Sequence, residues 1–241
     1  MVHGDTAELR GEEARHLARV LRAEEGQLYE VSDNRSAYLA RVEEAHGERV
    51  VFRLIEPIAA SPPPVRITLC AALVKFDHFE WMIEKATELG VEKILPVDAA
   101  RSEKGLFEAS AKRRERWVRV AREASQQSRR THLPEILPAV RFEQSLAVEA
   151  GYRYFMDESV APPFLGILPS EGTAADHVAL MVGPEGGWTD SERGLASSAG
   201  WPAASLGPGV LRAETAVVAA LGIVVGAWLA RKCPLPTTME L

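Results

Sequence analysis

The chain has 241 residues, 46% hydrophobic and 26% charged, with a net charge of −6. This composition excludes fibrous and disordered classes, and the length allows one large domain or two small ones, each with its own core. The acidic total argues against a nucleic-acid partner unless positive charge is gathered locally.

The N-terminus has no basic segment followed by an apolar run, so no cleaved leader is expected. Residues 11–23 follow a helical pattern, with Leu17, Val20 and Leu21 on one side and Gly26 just beyond the end. Strands are predicted over 27–32, 37–42 and 48–55, with Asp33-Asn34-Arg35-Ser36 as a turn. Ser61-Pro62-Pro63-Pro64 reads as a linker, because proline fixes φ and lacks the donor a strand needs. A small first domain over 1–64 and a larger one over 65–241 follow.

Beyond the linker, strand and helix alternate. Strands are predicted over 65–73, 91–97, 152–156, 178–182 and 203–206. Asp77 is the expected cap of a helix carrying Phe79, Met82, Ile83 and Ala86 on one face and ending at Gly90; a second, long helix is expected over 110–130. Thr189-Asp190-Ser191-Glu192 fits a capping box. The alternation predicts an α/β fold with a mainly parallel sheet and a ligand at the carboxyl ends of its strands. The uncharged run 215–230 is slightly short for a membrane span and reads as a buried helix.

Two glycine-bearing turns carry the strongest chemical signal: Gly183-Pro184-Glu185-Gly186-Gly187, and Leu206-Gly207-Pro208-Gly209-Val210-Leu211-Arg212-Ala213-Glu214-Thr215-Ala216. Each joins a predicted strand to a predicted helix, where missing Cβ atoms let main chain approach a ligand. A side chain at Gly186 is expected to collide with that ligand or distort the loop. Neither turn is a P-loop or a dinucleotide fingerprint: there is no GxxxxGK[ST], and Arg212 stands where a third glycine belongs. Glu214 and Thr215 fit either capping or a role at the site. Arg212 fits pairing with an acid or stabilisation of a developing oxyanion.

Residues 101–130 hold ten Lys/Arg against four Glu. On the predicted helix Lys112, Arg116, Arg119, Gln126 and Arg130 share a face opposite Trp117, Val118, Ala121 and Ala124. Such a stripe is either solvated surface or an RNA-facing patch. Only Cys70 and Cys233 occur, with no CxxC, no HExxH and no His/Cys cluster, so the reducing cytoplasm and no metal are expected. The histidines show no ligand spacing, and Trp188, directly after Gly187, is the tryptophan placed to border a pocket.

Together these residues resemble the RsmE family of the knotted SPOUT superfamily, which methylates N3 of a uridine in 16S ribosomal RNA. The resemblance rests on His16-Leu17 with Val20-Leu21-Arg22; on Lys85 with Glu88-Leu89-Gly90-Val91; on Arg101-Ser102, Gln127, Arg130 and Pro134-Glu135-Ile136; and on the two glycine turns with Glu192. It implies a PUA-like RNA-binding β-barrel followed by a SPOUT domain whose C-terminal segment threads a trefoil knot, in a homodimer. It further implies an S-adenosyl-L-methionine site at Met181, Val182, Gly183, Pro184, Glu185, Gly186, Gly187, Leu206, Gly207, Val210, Leu211, Thr215 and Ala216. Arg212 and Glu214 are the implied catalytic residues, with hydroxide or water as alternatives to Glu214. Arg22, Arg101, Arg116, Arg119, Gln127 and Arg130 are the implied RNA contacts. The chain departs from the family pattern in two places: residues 1–8 carry no Lys or Arg, and Gly209 stands where a basic residue is common. The rivals are a non-catalytic RNA-binding relative and a SPOUT enzyme acting on transfer RNA or a ribose hydroxyl.

Overall fold

The computed structural model describes residues 2–59, 63–159 and 161–232, which fall into two units, Met1–Ser61 and Pro62–Leu241. Ser61 and Pro62 of the linker, and Cys233, lie outside the described residues.

In the first unit β1 (Val2–His3) and β2 (Thr6–Arg10) precede α1 (Glu12–Arg15), which runs into a π-helical turn at His16–Val20. Then come β3 (Leu28–Ser32), β4 (Ala37–His46) and β5 (Arg49–Ile58). The strands form one antiparallel sheet in the order β1-β2-β5-β4-β3. Among the described residues no ladder joins β1 to β3, so the expected barrel is a sheet with two open edges. Asp33 shapes the β3–β4 turn by accepting from the N–H groups of Ser36 (2.8 Å) and Arg35 (3.0 Å). Those donors hold its carboxyl below the usual range.

The predicted helix in this unit needs correction. Leu17 is buried, but Val20 and Leu21 are 64% and 57% exposed. The Leu21 N–H reaches back five residues to the His16 carbonyl (3.1 Å). The wider turn rotates Val20 and Leu21 away from a core made by Ala14, Leu17, Ala40, Val42, Val50 and Phe52. Strands β1 and β2 were not predicted. Ala7 and Leu9 of β2 nevertheless lie opposite Phe52 and Val50 and pack on that core.

The second unit runs β6 (Arg66–Ala72), α2 (Phe76–Glu88), β7 (Lys93–Asp98), α3 (Leu106–Gln127), β8 (Glu135–Ile136), β9 (Val140–Arg141), α4 (Phe142–Ser145) and β10 (Tyr152–Met156). It continues with α5 (Phe164–Ile167), β11 (His177–Val182), α6 (Asp190–Ser198), β12 (Ala203–Ala204) and α7 (Ala213–Lys232). The sheet order is β12-β10-β11-β6-β7-β8, with β9 beside β7, and every ladder is parallel. Both faces are covered, as parallel sheets require. Val178, Leu180 and Val182 of β11 point into a core shared with α2, α3 and α7, while Ala179 and Met181 point to the other face with Phe142, Trp188 and Trp201.

Element ends differ from the expected ones in instructive ways. Lys75, not Asp77, occupies the N-cap of α2, and Asp77 sits in its first turn without a capping hydrogen bond. Helix α3 starts at Leu106, after Gly105 in the left-handed region (φ +85°), and stops at Gln127. Arg130 therefore lies beyond it. Strand β12 is only two residues long, so Leu206 belongs to the following loop. Gly90 ends α2 as expected, at φ +92°.

Candidate active site

Strands β10, β11 and β12 end side by side, and their carboxyl ends carry Met156-Asp157-Glu158, Val182-Gly183-Pro184 and Leu206-Gly207. With Gly209, Leu211, Ala213 and Ala216 from the approach to α7, and Trp188, they line an open cleft. The place is the one a parallel sheet offers a ligand.

A buried tryptophan holds two of these walls together. The Trp188 Nε1–H donates to the Met156 carbonyl (2.8 Å), and the indole packs beneath Gly183. A Cβ at Gly183 would fall 2.9 Å from that ring, so glycine is required there by packing. Gly187 (φ +67°) turns the chain, its N–H donating to the Pro184 carbonyl (2.9 Å); a Cβ there would strike the Glu158 carboxylate.

Helix α6 anchors the turn from behind. Thr189 and Glu192 form the expected capping box, and the second Glu192 oxygen accepts from the Ala100 N–H (2.8 Å). Arg193 donates from Nε and Nη2 to Asp157 (2.8 and 3.1 Å) and from Nη1 to the Trp188 carbonyl (2.8 Å). Burial works to raise the Asp157 pKa, but the Arg193 and Ser159 hydrogen bonds outweigh it and hold the carboxyl below its ordinary value.

Of the expected cofactor residues, Val182, Gly183, Pro184, Leu206, Gly207, Leu211 and Ala216 line the cleft. The others are placed elsewhere. The Met181 side chain lies on the opposite face of the sheet, its sulfur 3.8 Å from Ser145 Oγ. The Gly186 carbonyl accepts from Arg101 Nη1 (2.7 Å), and the space a Cβ would take is filled by the Arg101 side chain, not by the cleft. Val210 is 80% exposed, and Thr215 is exposed within the first turn of α7, not at its cap. Met156, Asp157, Glu158, Gly209 and Ala213 line the cleft without having been singled out for it. The signal for Asp157 and Glu158 was available: they directly follow a predicted parallel strand, where ligands bind.

Arg212 is exposed at the entrance to α7, where its carbonyl accepts the Ala216 N–H (2.9 Å). Glu214 is largely withdrawn from solvent, with 15% side-chain exposure. Its Oε1 lies 3.5 Å from His78 Nδ1, which is also 3.5 Å from Glu185 Oε1. Sequence spacing had not brought this trio together. Glu214 Oε2 and His78 Nδ1 are both buried without a hydrogen-bond partner.

The expected RNA residues divide into exposed and committed side chains. Arg22 (φ +51°), Arg119 and Gln127 are exposed. Arg116 Nε pairs with both oxygens of Glu80 (2.7 and 2.8 Å). Arg130 donates through Nη1 to the carbonyls of Thr87 (2.5 Å) and Val91 (3.3 Å), and burial lowers its pKa. It closes the carboxyl end of α2, a structural duty that corrects its place in the basic stripe.

The chain matches the RNA methyltransferase domain family over residues 61–225 and the RNA methyltransferase PUA domain family over residues 9–55. It is 30% identical over 229 residues to the ribosomal RNA small subunit methyltransferase E of Bacillus subtilis, spanning 91% of this chain and 89% of that one. The Synechocystis protein of the same name is 35% identical over 211 residues, spanning 86% of this chain and 68% of its relative. Among solved structures, a ribosomal RNA small subunit methyltransferase E from Neisseria gonorrhoeae bound to S-adenosyl methionine superposes with a TM-score of 0.85 at 30% identity, covering 95% of this chain and 94% of the other. A methyltransferase from Legionella pneumophila in complex with the same cofactor gives 0.84 at 28% identity, covering 94% of each chain. With both domains matched in order and relatives aligned over most of their length, the chain belongs to the ribosomal RNA small subunit methyltransferase E family.

Proposed function

We propose that this protein uses S-adenosyl-L-methionine to methylate N3 of a specific uridine in 16S ribosomal RNA. The observation that carries the reading is the cleft at the ends of β10, β11 and β12, within a fold shared along its length with relatives that hold this cofactor. The residues present fit the group. Gly183, Pro184, Gly207 and Gly209 expose main chain, and Val182, Leu206, Leu211 and Ala216 offer apolar contact to a nucleoside. The Glu158 carboxylate, 42% exposed at the rim, can accept a hydroxyl or face a cationic group.

Bound there, the cofactor supplies an electrophilic methyl group. The protein's own task is to align uracil N3 with it and to remove the N3 proton, since the neutral base has its lone pair delocalised. Arg212 stabilises negative charge on the uracil oxygens, and Glu214, on the same turn of chain, is the acceptor for the proton. Arg22, Arg119 and Gln127 bind the RNA. Arg101 and Arg116 assist it if they exchange their present partners, Gly186 and Glu80.

The reading extends to assembly. Helix α7 is long and apolar enough to cross a membrane, yet Val217, Leu221, Val224 and Trp228 belong to the main core. Its other side presents Val218, Gly222, Gly226 and Leu229, a stripe free of charge that supports burial against a second subunit. We read the protein as a cytoplasmic homodimer whose C-terminal segment threads a trefoil knot and which acts on 16S ribosomal RNA, free or within the assembled small subunit.

Arg212→Ala tests the division of labour. Single-turnover methylation falls by ~10²–10³-fold, while S-adenosylhomocysteine affinity measured by calorimetry changes little. A variant that keeps its rate assigns the uracil charge to another group.

A further inference from the structure

The Gly183-Pro184-Glu185-Gly186-Gly187 turn is held at its two ends, by the ladder of β11 with β6 on one side and by the buried Trp188 on the other. Between them Glu185 and Gly186 form an exposed apex. Arg101, from the loop after β7, reaches this apex, its Nη1 donating to the Gly186 carbonyl (2.7 Å). The loop is itself anchored. The Ser102 N–H donates to the Ala99 carbonyl (3.0 Å), and the Ala100 N–H donates to Oε1 of the buried Glu192 (2.8 Å). The other Glu192 oxygen accepts from the N–H and Oγ1 of Thr189 (2.8 Å each), just past the turn. Gly186 is not among the glycines of positive φ, so the left-handed region is not what calls for glycine there. A Cβ at Gly186 would lie 3.2 Å from Arg101 Cβ and 3.5 Å from its Cδ. The missing side chain is what lets the Arg101 stem lie across the turn.

We propose that Arg101 is a positioning residue for the cofactor: from outside the cleft it braces the apex of the turn and thereby fixes Pro184, which lines the cleft. The inference rests on the reading of that cleft as the cofactor site. The link from apex to wall is short, because the Gly187 N–H donates to the Pro184 carbonyl (2.9 Å) and Gly186 lies between the two. Two facts favour a brace over a solvated charge or a phosphate contact. The bond is short and its donor is charged, which places it among the stronger hydrogen bonds. The Arg101 stem also fills the space that glycine leaves at 186, so donor and packing act on one residue. Without the brace the apex samples other shapes, and the fraction of protein with a formed cleft drops.

The test is S-adenosylhomocysteine calorimetry on the full chain for the parent, Arg101→Met, Arg101→Lys, Gly186→Ala and the double variant Arg101→Met/Gly186→Ala. Methionine keeps a stem but donates nothing, and affinity falls roughly fivefold, as for one lost hydrogen bond. Lysine restores most of the loss, because one carbonyl needs one charged donor and not a planar fork. Gly186→Ala displaces the Arg101 stem and weakens binding by a similar factor. The double variant loses about as much as either single one, whereas independent effects would multiply to about 25-fold. Melting curves confirm that all five proteins are folded. An Arg101→Met variant that binds as the parent does, or losses that multiply in the double variant, overturns the brace and leaves the cofactor reading standing. Parental cofactor affinity in Arg101→Met, with the salt slope of RNA binding reduced by about 0.7–0.9, also overturns it and gives the guanidinium to a phosphate. A parent that binds no S-adenosylhomocysteine overturns the cofactor reading and the brace with it.

Discussion

Asp157 shows how one buried side chain can hold a site. It accepts two hydrogen bonds from Arg193, whose remaining arm reaches the Trp188 carbonyl, while the Trp188 indole reaches back to Met156. The ring closes the ends of β10 and β11 around the cleft. Because the folded-state pKa of Asp157 lies below its unfolded value, its contribution to stability is present above the unfolded pKa and is lost as pH falls through the folded one. Asp157→Asn is therefore expected to cost ~2–3 kcal/mol near pH 7 in urea denaturation. The gap to the parent should close as pH falls below about 4. A gap that stays constant as pH falls to about 2 refutes the ionic account. This ring was partly legible: Trp188 was placed at a pocket edge by its position after Gly187. Arg193 was not, since its partner Asp157 is 36 residues distant and nothing local marks the pair.

At the scale of an element, α3 separates what periodicity reveals from what it hides. The apolar face was legible, and Trp117, Ala121 and Ala124 are buried against the core as their spacing required. The wheel could not show where the helix stops. Arg129 takes φ +53° after the last turn, and Arg130 swings under the end of α2. The basic stripe thus contains residues with different tasks. Replacing Arg119 with Ala should lower RNA affinity and reduce the slope of log affinity against log salt by about 0.7–0.9, one released counterion. Replacing Arg130 with Ala should instead destabilise the fold by ~1–3 kcal/mol, by stranding buried carbonyls, and leave the slope unchanged. Salt titrations alongside melting curves decide between them, and the reverse pattern would return Arg130 to the RNA surface. The π-helical turn at His16–Val20 carries the same lesson: its residues have ordinary helical spacing, and only the packing of Leu17 beneath β4 and β5 reveals the extra residue in the turn.

Across the whole molecule, strand–helix alternation was enough to anticipate a parallel sheet, and the two glycine turns were enough to anticipate a cleft at the ends of its strands. The strand order was not legible. Parallel neighbours such as β11 and β6 are more than a hundred residues apart, and nothing in either strand names its partner. Nor could spacing show that Glu185, Glu214 and His78 meet, since they come from three separate segments. The order β12-β10-β11 is what brings the two glycine turns to one cleft, and the proposed activity depends on that convergence. The most direct test supplies the full chain with S-adenosyl-L-methionine and either 16S ribosomal RNA or small ribosomal subunits, then maps the modified nucleoside by mass spectrometry. The account predicts 3-methyluridine at a single position. A ribose methyl, a methyl found only on transfer RNA, or no transfer to either substrate would contradict it.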